Sequence, residues 1–67
     1  MIKSCVIGLS KIGQIHCNNL KKIKNTSLNF VYDKDQTLRN NAAKKFKCQT
    51  SNNFEEILRN KEIELFI

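Results

Sequence analysis

The chain has 67 residues, of which 40% are hydrophobic, and a formal net charge of +6. This length allows one small domain at most, and the hydrophobic share argues against wholesale disorder. No stretch approaches the roughly 20 apolar residues of a membrane span, and the apolar run at the N-terminus is too short for a signal peptide. We therefore expect a soluble protein of the cytoplasm with no membrane partner.

The positive charge is typical either of a nucleic-acid surface or of solvated lysines. The lysines gather at 21–24 and 44–47, near the predicted ends of helices, where cations suit the negative end of the helix dipole. The aromatic residues fall at predicted core or strand positions rather than among the lysines. We therefore expect no nucleic-acid partner, and a small basic nucleic-acid-binding module stays as the alternative.

The cysteines Cys5, Cys17 and Cys48 are odd in number and widely spaced. The chain has no C-x-x-C pair, and His16 is its only histidine, so a zinc site lacks ligands at plausible spacing. We expect no metal site, and we expect reduced, mostly buried thiols of the kind found in cytosolic proteins.

Apolar periodicity predicts strands that alternate with helices. Cys5-Val6-Ile7 predicts a short buried strand that ends at Gly8, and residues 28–32 predict a second strand closed by Asp33. Between them the period is helical. The predicted outward residues of this helix are Lys11, Gln14, Asn18 and Lys21, and the predicted inward residues are Ile12, Ile15, His16, Leu20 and Ile23.

The second half of the chain continues the alternation. Asp35 or Thr37 can cap a second helix, for which the predicted apolar stripe is Leu38, Ala42 and Phe46. Residues 48–50 leave room for a very short strand. Asn53 and Glu56 have the spacing of a capping box. The helix that they open would turn Phe54, Ile57 and Leu58 inward, and residues 63–67 begin a last strand.

The order β-α-β-α-β-α-β predicts a parallel sheet with helices on its faces. With right-handed crossovers, this is the N-terminal half of a doubly wound, Rossmann-like α/β fold. A last strand with nothing to cover it would leave an exposed sheet edge. We therefore expect residues 1–67 to form a partial, truncated domain.

The motif Gly8-Leu9-Ser10-Lys11-Ile12-Gly13 follows the first predicted strand and opens the first predicted helix. It matches the dinucleotide fingerprint G-x-G-x-x-G at its first and third glycines and has Ser10 at the second. Gly8 permits a tight turn, Gly13 permits close helix packing, and the middle position lets the backbone approach a pyrophosphate at the helix N-terminus. The Ser10 hydroxyl either crowds that phosphate or donates to it. The alternative is an ordinary tight turn in an unrelated α/β protein.

Asp33 lies at the end of the second predicted strand, about 20 positions after Gly13, where an acidic residue holds the ribose hydroxyls of NAD. The alternative is that Asp33 only caps the next helix. Lys34 would attract the 2′-phosphate of NADP and Asp33 would repel it. NAD is therefore favoured, and NADP stays open. His16 lies one turn into the first predicted helix, on or beside its buried face, where a packed, hydrogen-bonded histidine is favoured over a catalytic one.

These residues resemble the opening of the glucose–fructose oxidoreductase/inositol 2-dehydrogenase family, Gfo/Idh/MocA. Residues 2–16 are similar to the family's first strand and G-[LA]-G-R-I-G-x-x-H motif, and residues 31–35 to its acidic second-strand end. Residues 54–58 are similar to its aromatic-E-E-L-L helix, and residues 63–67 to its I-D-x-V-x-I strand. The resemblance covers the whole chain. Ser10 and Lys11 depart from the family's Gly and Arg.

The resemblance implies an NAD(P)-dependent oxidoreductase that transfers hydride between nicotinamide and a sugar or cyclitol, with myo-inositol as one candidate. By matched position, Asp33 and Lys34 would contact the adenosine ribose, and the pyrophosphate would be lined by Gly8, Ser10, Lys11, Ile12 and Gly13. The family's E-K-P motif and its substrate and oligomerisation domain would follow Ile67. We therefore expect no catalytic residue in this chain and a homo-oligomer for the full-length protein. A non-functional remnant is a further alternative.

Overall fold

The computed structural model describes residues 1–67 as three strands and three helices. In chain order these are β1 (Ile2–Ile7), α1 (Lys11–Lys22), β2 (Thr26–Tyr32), α2 (Gln36–Phe46), α3 (Phe54–Leu58) and β3 (Leu65–Phe66). The strands form one parallel sheet in the order β2-β1-β3. Because β3 joins β1 on the side away from β2, the sheet reverses its direction of growth at β1, as a doubly wound fold does. The predicted Rossmann-like half is confirmed.

The very short strand predicted at 48–50 is reduced to a single bridge. Gln49 pairs in parallel with Phe30. The Gln49 N–H donates to the Asn29 carbonyl over 2.9 Å, and the Val31 N–H donates to the Gln49 carbonyl over 3.0 Å. Gln49 therefore occupies the place of a strand at the outer edge of β2, and the predicted path of the chain is retained.

Helices cover both faces of the sheet. α1 and α2 pack on one face, over a buried cluster of Val6, Leu9, Cys17, Leu20, Leu28, Val31, Ala42 and Phe46. On the other face α3 packs over a smaller buried cluster of Cys5, Ile57 and Ile63. The stripe predicted for α2 is confirmed, with Leu38 partly buried beside the first cluster. None of the three helices has the length and apolar run needed to span a bilayer.

One extra residue in β2 decides which side chains reach each face. Ser4 pairs with Leu28, and the next residue, Cys5, pairs with Phe30, so Asn29 has no partner in β1. Side chains three positions apart in a regular strand would point to opposite faces. The bulge at Asn29 instead puts Leu28 and Val31 in the same buried cluster.

The predicted inward face of α1 is wrong except at Leu20. The buried residues of α1 are Gly13, Cys17 and Leu20. The other four side chains predicted to be inward are exposed, namely Ile12, Ile15, His16 and Ile23. The physical reason is the close approach of Gly13 to the end of β1, which turns the Gly13 side of the helix toward the sheet and the isoleucines away from it.

The ends of α2 and α3 show how short polar side chains begin these helices. Asp35, rather than Thr37, caps α2, because its Oδ1 accepts from the Leu38 N–H over 3.1 Å. Asn53 Oδ1 accepts from the Glu56 N–H over 3.2 Å, which is one half of the predicted capping box. The Asn53 N–H donates to Ser51 Oγ instead of Glu56.

Only part of the inward face predicted for α3 is buried. Ile57 is buried, as predicted, but Phe54 is 37% exposed and Leu58 is 50% exposed. A helix of five residues covers too little of the sheet to bury all three side chains. The carboxyl-terminal edge of this face therefore stays open.

Candidate functional site

A sharp turn takes the chain out of β1 and into α1. Gly8 has a φ of +90°, a backbone conformation that side-chain-bearing residues rarely adopt. Its N–H donates to the Tyr32 carbonyl over 2.8 Å, so the ladder between β1 and β2 continues to the point where the turn begins. The loop of residues 8–13, called the glycine loop below, therefore starts at the carboxyl-terminal edge of the sheet.

Gly13 lets α1 touch the end of β1 through backbone atoms alone. A Cβ on Gly13 would lie 1.7 Å from the Gly8 carbonyl oxygen, a distance that no side chain could occupy. The structural roles predicted for both glycines, a tight turn for Gly8 and close packing for Gly13, are confirmed. They place the N-terminus of α1 directly above the sheet edge.

The N-terminus of α1 presents backbone donors without partners in the helix. Ser10 is the N-cap residue, with extended backbone and no side-chain cap bond. The first helical bond runs from the Gln14 N–H to the Ser10 carbonyl over 3.0 Å, which leaves the N–H groups of residues 11–13 free. The first turn contains no acidic residue. Such a helix end, with its partial positive charge, suits an anion such as a phosphate.

The Asp33 carboxylate is bonded directly to the glycine loop. Its Oδ2 accepts from the Leu9 N–H over 2.9 Å, and its Oδ1 accepts from the Asp35 N–H over 2.8 Å. The Leu9 bond, then the Asp35 bond, hold the pKa of Asp33 below its ordinary value against the opposing effect of burial, and the charges of Lys34 and Arg39 contribute less in the same direction as the two bonds. Asp33 is therefore an anion at neutral pH. The N-cap of α2 is Asp35, and Asp33 holds the N–H of this cap residue without capping the helix itself.

An open cavity of about 330 Å³ lies beside this carboxylate. Its lining residues are Ile7, Gly8, Tyr32, Asp33, Lys34 and Phe54. The rings of Tyr32 and Phe54 pack with their centroids 4.8 Å apart, and no atom lies within 4 Å of where a Gly8 side chain would begin. The volume falls at the lower end of the range of small-molecule sites, about 300–1,000 Å³. An apolar wall with a carboxylate and an ammonium group at its rim suits a nucleoside.

The structure brings all seven predicted site residues to one edge of the sheet. Gly8, Asp33 and Lys34 line the cavity, and Ser10, Lys11, Ile12 and Gly13 form the adjacent N-terminus of α1. Ile12 is 68% exposed there. His16 lies further along α1 and is exposed. The packed histidine expected from the sequence is therefore wrong, and the cavity does not include it.

Sequence reasoning missed the two aromatic residues of the cavity. Tyr32 could have been found, since it directly precedes Asp33 at the end of a strand. Phe54 gave no local signal, because only the packing of α3 on the sheet brings its ring to Tyr32.

The three cysteines are free thiols, as predicted, with Cys5 and Cys17 buried. Burial is the main cause that raises the pKa of Cys5 to about 12 and that of Cys48 to about 11. It also raises the pKa of Cys17, against the opposing charge of Lys45. None of the three is a thiolate nucleophile at neutral pH.

Two solved structures share this architecture. The first is a protein from Desulfitobacterium hafniense DCB-2 provisionally described as an NADPH-dependent oxidoreductase, with a TM-score of 0.90 and 18% identity. The second is GenD2 from gentamicin A biosynthesis in complex with NAD, with a TM-score of 0.89 and 20% identity. Each likeness covers 97% of this chain and 19% of the other chain. The chain therefore spans about a fifth of the length of these structures. At such identities the likeness shows the fold.

The family comparison is more specific than the structural one. No curated protein matches the chain. The model of the Gfo/Idh/MocA oxidoreductase family, described as an NAD-binding Rossmann fold, matches residues 2–67. Since this match spans all but the first residue and agrees with the observed fold, the chain belongs to the Gfo/Idh/MocA family of oxidoreductases and matches the NAD-binding Rossmann fold of that family.

Proposed function

We propose that the glycine loop, Asp33 and the adjoining cavity bind NAD, and that the chain serves as the cofactor-binding part of an oxidoreductase. The observation that carries this proposal is the 2.9 Å hydrogen bond between Asp33 and the Leu9 N–H. This bond fixes the carboxylate that would hold a ribose beside the helix end that would hold a pyrophosphate. A dinucleotide needs both positions at once.

The chain's own groups fit each part of the cofactor. The pyrophosphate would accept from the free N–H groups at residues 11–13, with the Ser10 hydroxyl and the Lys11 ammonium group close by. Each Asp33 oxygen accepts one backbone bond and keeps a further lone pair for a ribose hydroxyl. The adenine would lie in the cavity against Tyr32 and Phe54. Gly8 leaves the space through which the nucleoside and the pyrophosphate connect.

Charge at the rim of the cavity favours NAD over NADP. The lowered pKa of Asp33 keeps a negative charge at the position where NADP carries its 2′-phosphate. Lys34 is exposed at the same rim and attracts that phosphate from a solvated position. The carboxylate is held by two backbone bonds, whereas the lysine side chain is exposed to solvent, so the repulsion of the phosphate by Asp33 outweighs its attraction to Lys34.

For the whole protein we propose hydride transfer between nicotinamide and a sugar or cyclitol, with myo-inositol as one candidate. The bound nicotinamide supplies the hydride acceptor or donor. Residues 1–67 would then be one part of a Rossmann domain in a longer, homo-oligomeric chain, with catalytic residues outside this segment. Two observations support this, the family match and the 19% share of the related structures that the chain covers. The free thiols suit a cytoplasmic location.

Calorimetric titration of the purified chain with NAD and NADP tests the proposal. We expect saturable binding of NAD and weaker binding of NADP. Ser10→Gly should bind NAD equally well or better, because the middle position of the fingerprint then has no side chain. If neither the wild type nor Ser10→Gly binds either dinucleotide, the proposal is wrong and a remnant is favoured.

A duplex DNA titration at near-physiological salt separates this function from the nucleic-acid alternative. The last turns of α1 and α2 contain Lys21, Lys22, Lys44 and Lys45, where the helix dipole stabilises them without a partner. We therefore expect no binding of DNA. Tight binding that weakens steeply with added salt would favour the nucleic-acid module instead.

A further inference from the structure

The peptide groups on both sides of Leu9 are held by polar side chains. The Leu9 side chain is fully buried in the cluster under α1 and α2. Its N–H donates to Asp33 Oδ2 over 2.9 Å, and its carbonyl accepts from Gln14 Nε2 over 3.4 Å. The middle of the glycine loop is therefore anchored by one apolar and two polar contacts.

Gln14 reaches this carbonyl because a lysine of α2 fixes its amide. Lys45 Nζ donates to Gln14 Oε1 over 3.2 Å. A lysine ammonium group only donates, so it selects the orientation in which the oxygen faces Lys45 and the nitrogen faces Leu9. Gln14 is accordingly half-buried, and its predicted outward position is wrong.

The carbonyl that Gln14 holds belongs to the same peptide unit as the Ser10 N–H. This unit is planar and trans, since the chain contains no cis peptide. Its N–H and C=O therefore point in opposite directions. The hydrogen bond from Gln14 fixes the direction of the Leu9 carbonyl, so the Ser10 N–H points away from Gln14. Ser10 is the fingerprint position at which the backbone approaches a pyrophosphate.

We propose that Gln14 is a positioning residue that holds the Leu9–Ser10 peptide in the orientation that binds the cofactor's diphosphate, with Lys45 fixing the Gln14 amide. This inference rests on the proposed dinucleotide site. The loop is thereby ordered before the ligand binds. The free energy of binding is then not reduced by the conformational entropy that ordering the loop would otherwise cost. Gln14 acts through the loop and contacts no ligand itself.

The test compares Gln14→Ala and Gln14→Met with Asn18→Ala in the full chain. Methionine keeps the length of glutamine without a donor or an acceptor. Asn18 is an exposed residue of the same helix and serves as the control. Two quantities are measured, the amide hydrogen-exchange rate of Leu9 in ligand-free protein, and the Kd values for ADP and adenosine. ADP reaches the glycine loop through its diphosphate, whereas adenosine occupies only the cavity.

We expect both Gln14 variants to exchange the Leu9 amide severalfold faster than the wild type, because the Leu9 N–H is the loop donor that is hydrogen-bonded, to Asp33. They should bind ADP about three- to tenfold more weakly and adenosine within about twofold of the wild type. Asn18→Ala should match the wild type throughout. Lys45→Met should shift both quantities in the same direction by a smaller factor.

The inference would be overturned if Gln14→Met had the same Leu9 exchange rate and the same affinity for ADP as the wild type. Equal weakening of ADP and adenosine would also overturn it, because that result indicates a general loss of structure. If the wild-type chain binds no ADP at all, the proposed function fails on its own. The Leu9 exchange rate of the Gln14 variants then still decides whether Gln14 holds the peptide, and a rate equal to that of the wild type rejects that role.

Discussion

The Cα of Gly13 lies so close to Gly8 that a Cβ would stand 1.7 Å from the Gly8 carbonyl oxygen. This backbone contact sets the height and the rotation of α1 over the sheet. It buries Cys17 and Leu20 on the same side as Gly13, and it leaves Ile12 exposed at the helix N-terminus. One contact therefore shapes both the core and the candidate site.

Replacing Gly13 by alanine should destabilise the protein by at least about 3 kcal/mol, at the upper end of the usual cost of overpacking. The clash is with backbone atoms, so no side-chain rotation can relieve it. The measurement is the free energy of unfolding in urea. Asn18→Ala, an exposed change on the same helix, should shift this free energy by no more than about 0.5 kcal/mol. A Gly13→Ala protein as stable as the control would show that α1 does not approach the strand so closely.

Acid should remove a stabilising contribution that Asp33 makes. The backbone bonds from Leu9 and Asp35 lower the folded-state pKa of Asp33 below its ordinary value of 3.8. The contribution is therefore complete above that value and is lost as the pH falls from there through the folded-state pKa. The measurement is the difference in urea midpoint between the wild type and Asp33→Asn from pH 7 to pH 2. The other carboxylates are present in both proteins, so their contributions cancel in this difference. We expect the difference to shrink below about pH 4, and a difference independent of pH would contradict the assignment.

Replacing Asp33 by serine should change the preference between the two dinucleotides. Without the carboxylate, Lys34 becomes the dominant charge at the rim of the cavity, so the ratio of NADP affinity to NAD affinity should rise about tenfold. Dissociation constants from calorimetry give this ratio. Asp35→Ser removes the neighbouring acid, which caps α2, and should leave the ratio nearly unchanged. An equal shift in both variants would assign the effect to net charge alone.

The caps of α1 and α2 should differ in their contribution to stability. Ser10 makes no side-chain cap bond, so Ser10→Ala should cost less than about 0.5 kcal/mol of unfolding free energy. Asp35 accepts from the Leu38 N–H, so Asp35→Ala should cost about 1 kcal/mol. Urea unfolding of the two ligand-free variants makes the comparison. A Ser10→Ala protein destabilised as much as Asp35→Ala would mean that the Ser10 hydroxyl caps the helix and is not free for a phosphate.

The thiols should resist alkylation while the protein is folded. Burial raises the pKa of Cys5 to about 12 and that of Cys48 to about 11, so very little thiolate is present at pH 8. Iodoacetamide should label these residues at least about tenfold more slowly in the native protein than in urea, as followed by mass spectrometry. Rapid labelling of Cys5 under native conditions would contradict its burial in the smaller cluster under α3.

The order of the elements and the structural roles of the two glycines could be predicted from the sequence, because these depend on local physics. Periods of two and 3.6 residues distinguish strands from helices. The turn that takes the chain out of β1 needs the positive φ of Gly8. The carboxyl ends of parallel strands meet at one edge of the sheet, so the spacing between Gly13 and Asp33 was enough to place Asp33 near the glycine loop.

Tertiary packing sets which stripe of α1 faces the sheet, which strand positions share a face, and which side chains surround the glycine loop. Two helical stripes of α1 were available, and the backbone contact at Gly13, rather than the number of isoleucines, selected one. The extra residue Asn29 shifts which side chains of β2 point to each face of the sheet, and no local sequence pattern predicts such a bulge. Two contacts join residues that are distant in the chain, the ring contact of Tyr32 with Phe54 and the hydrogen bond from Lys45 to Gln14. Such contacts depend on how the layers pack, which periodicity does not specify.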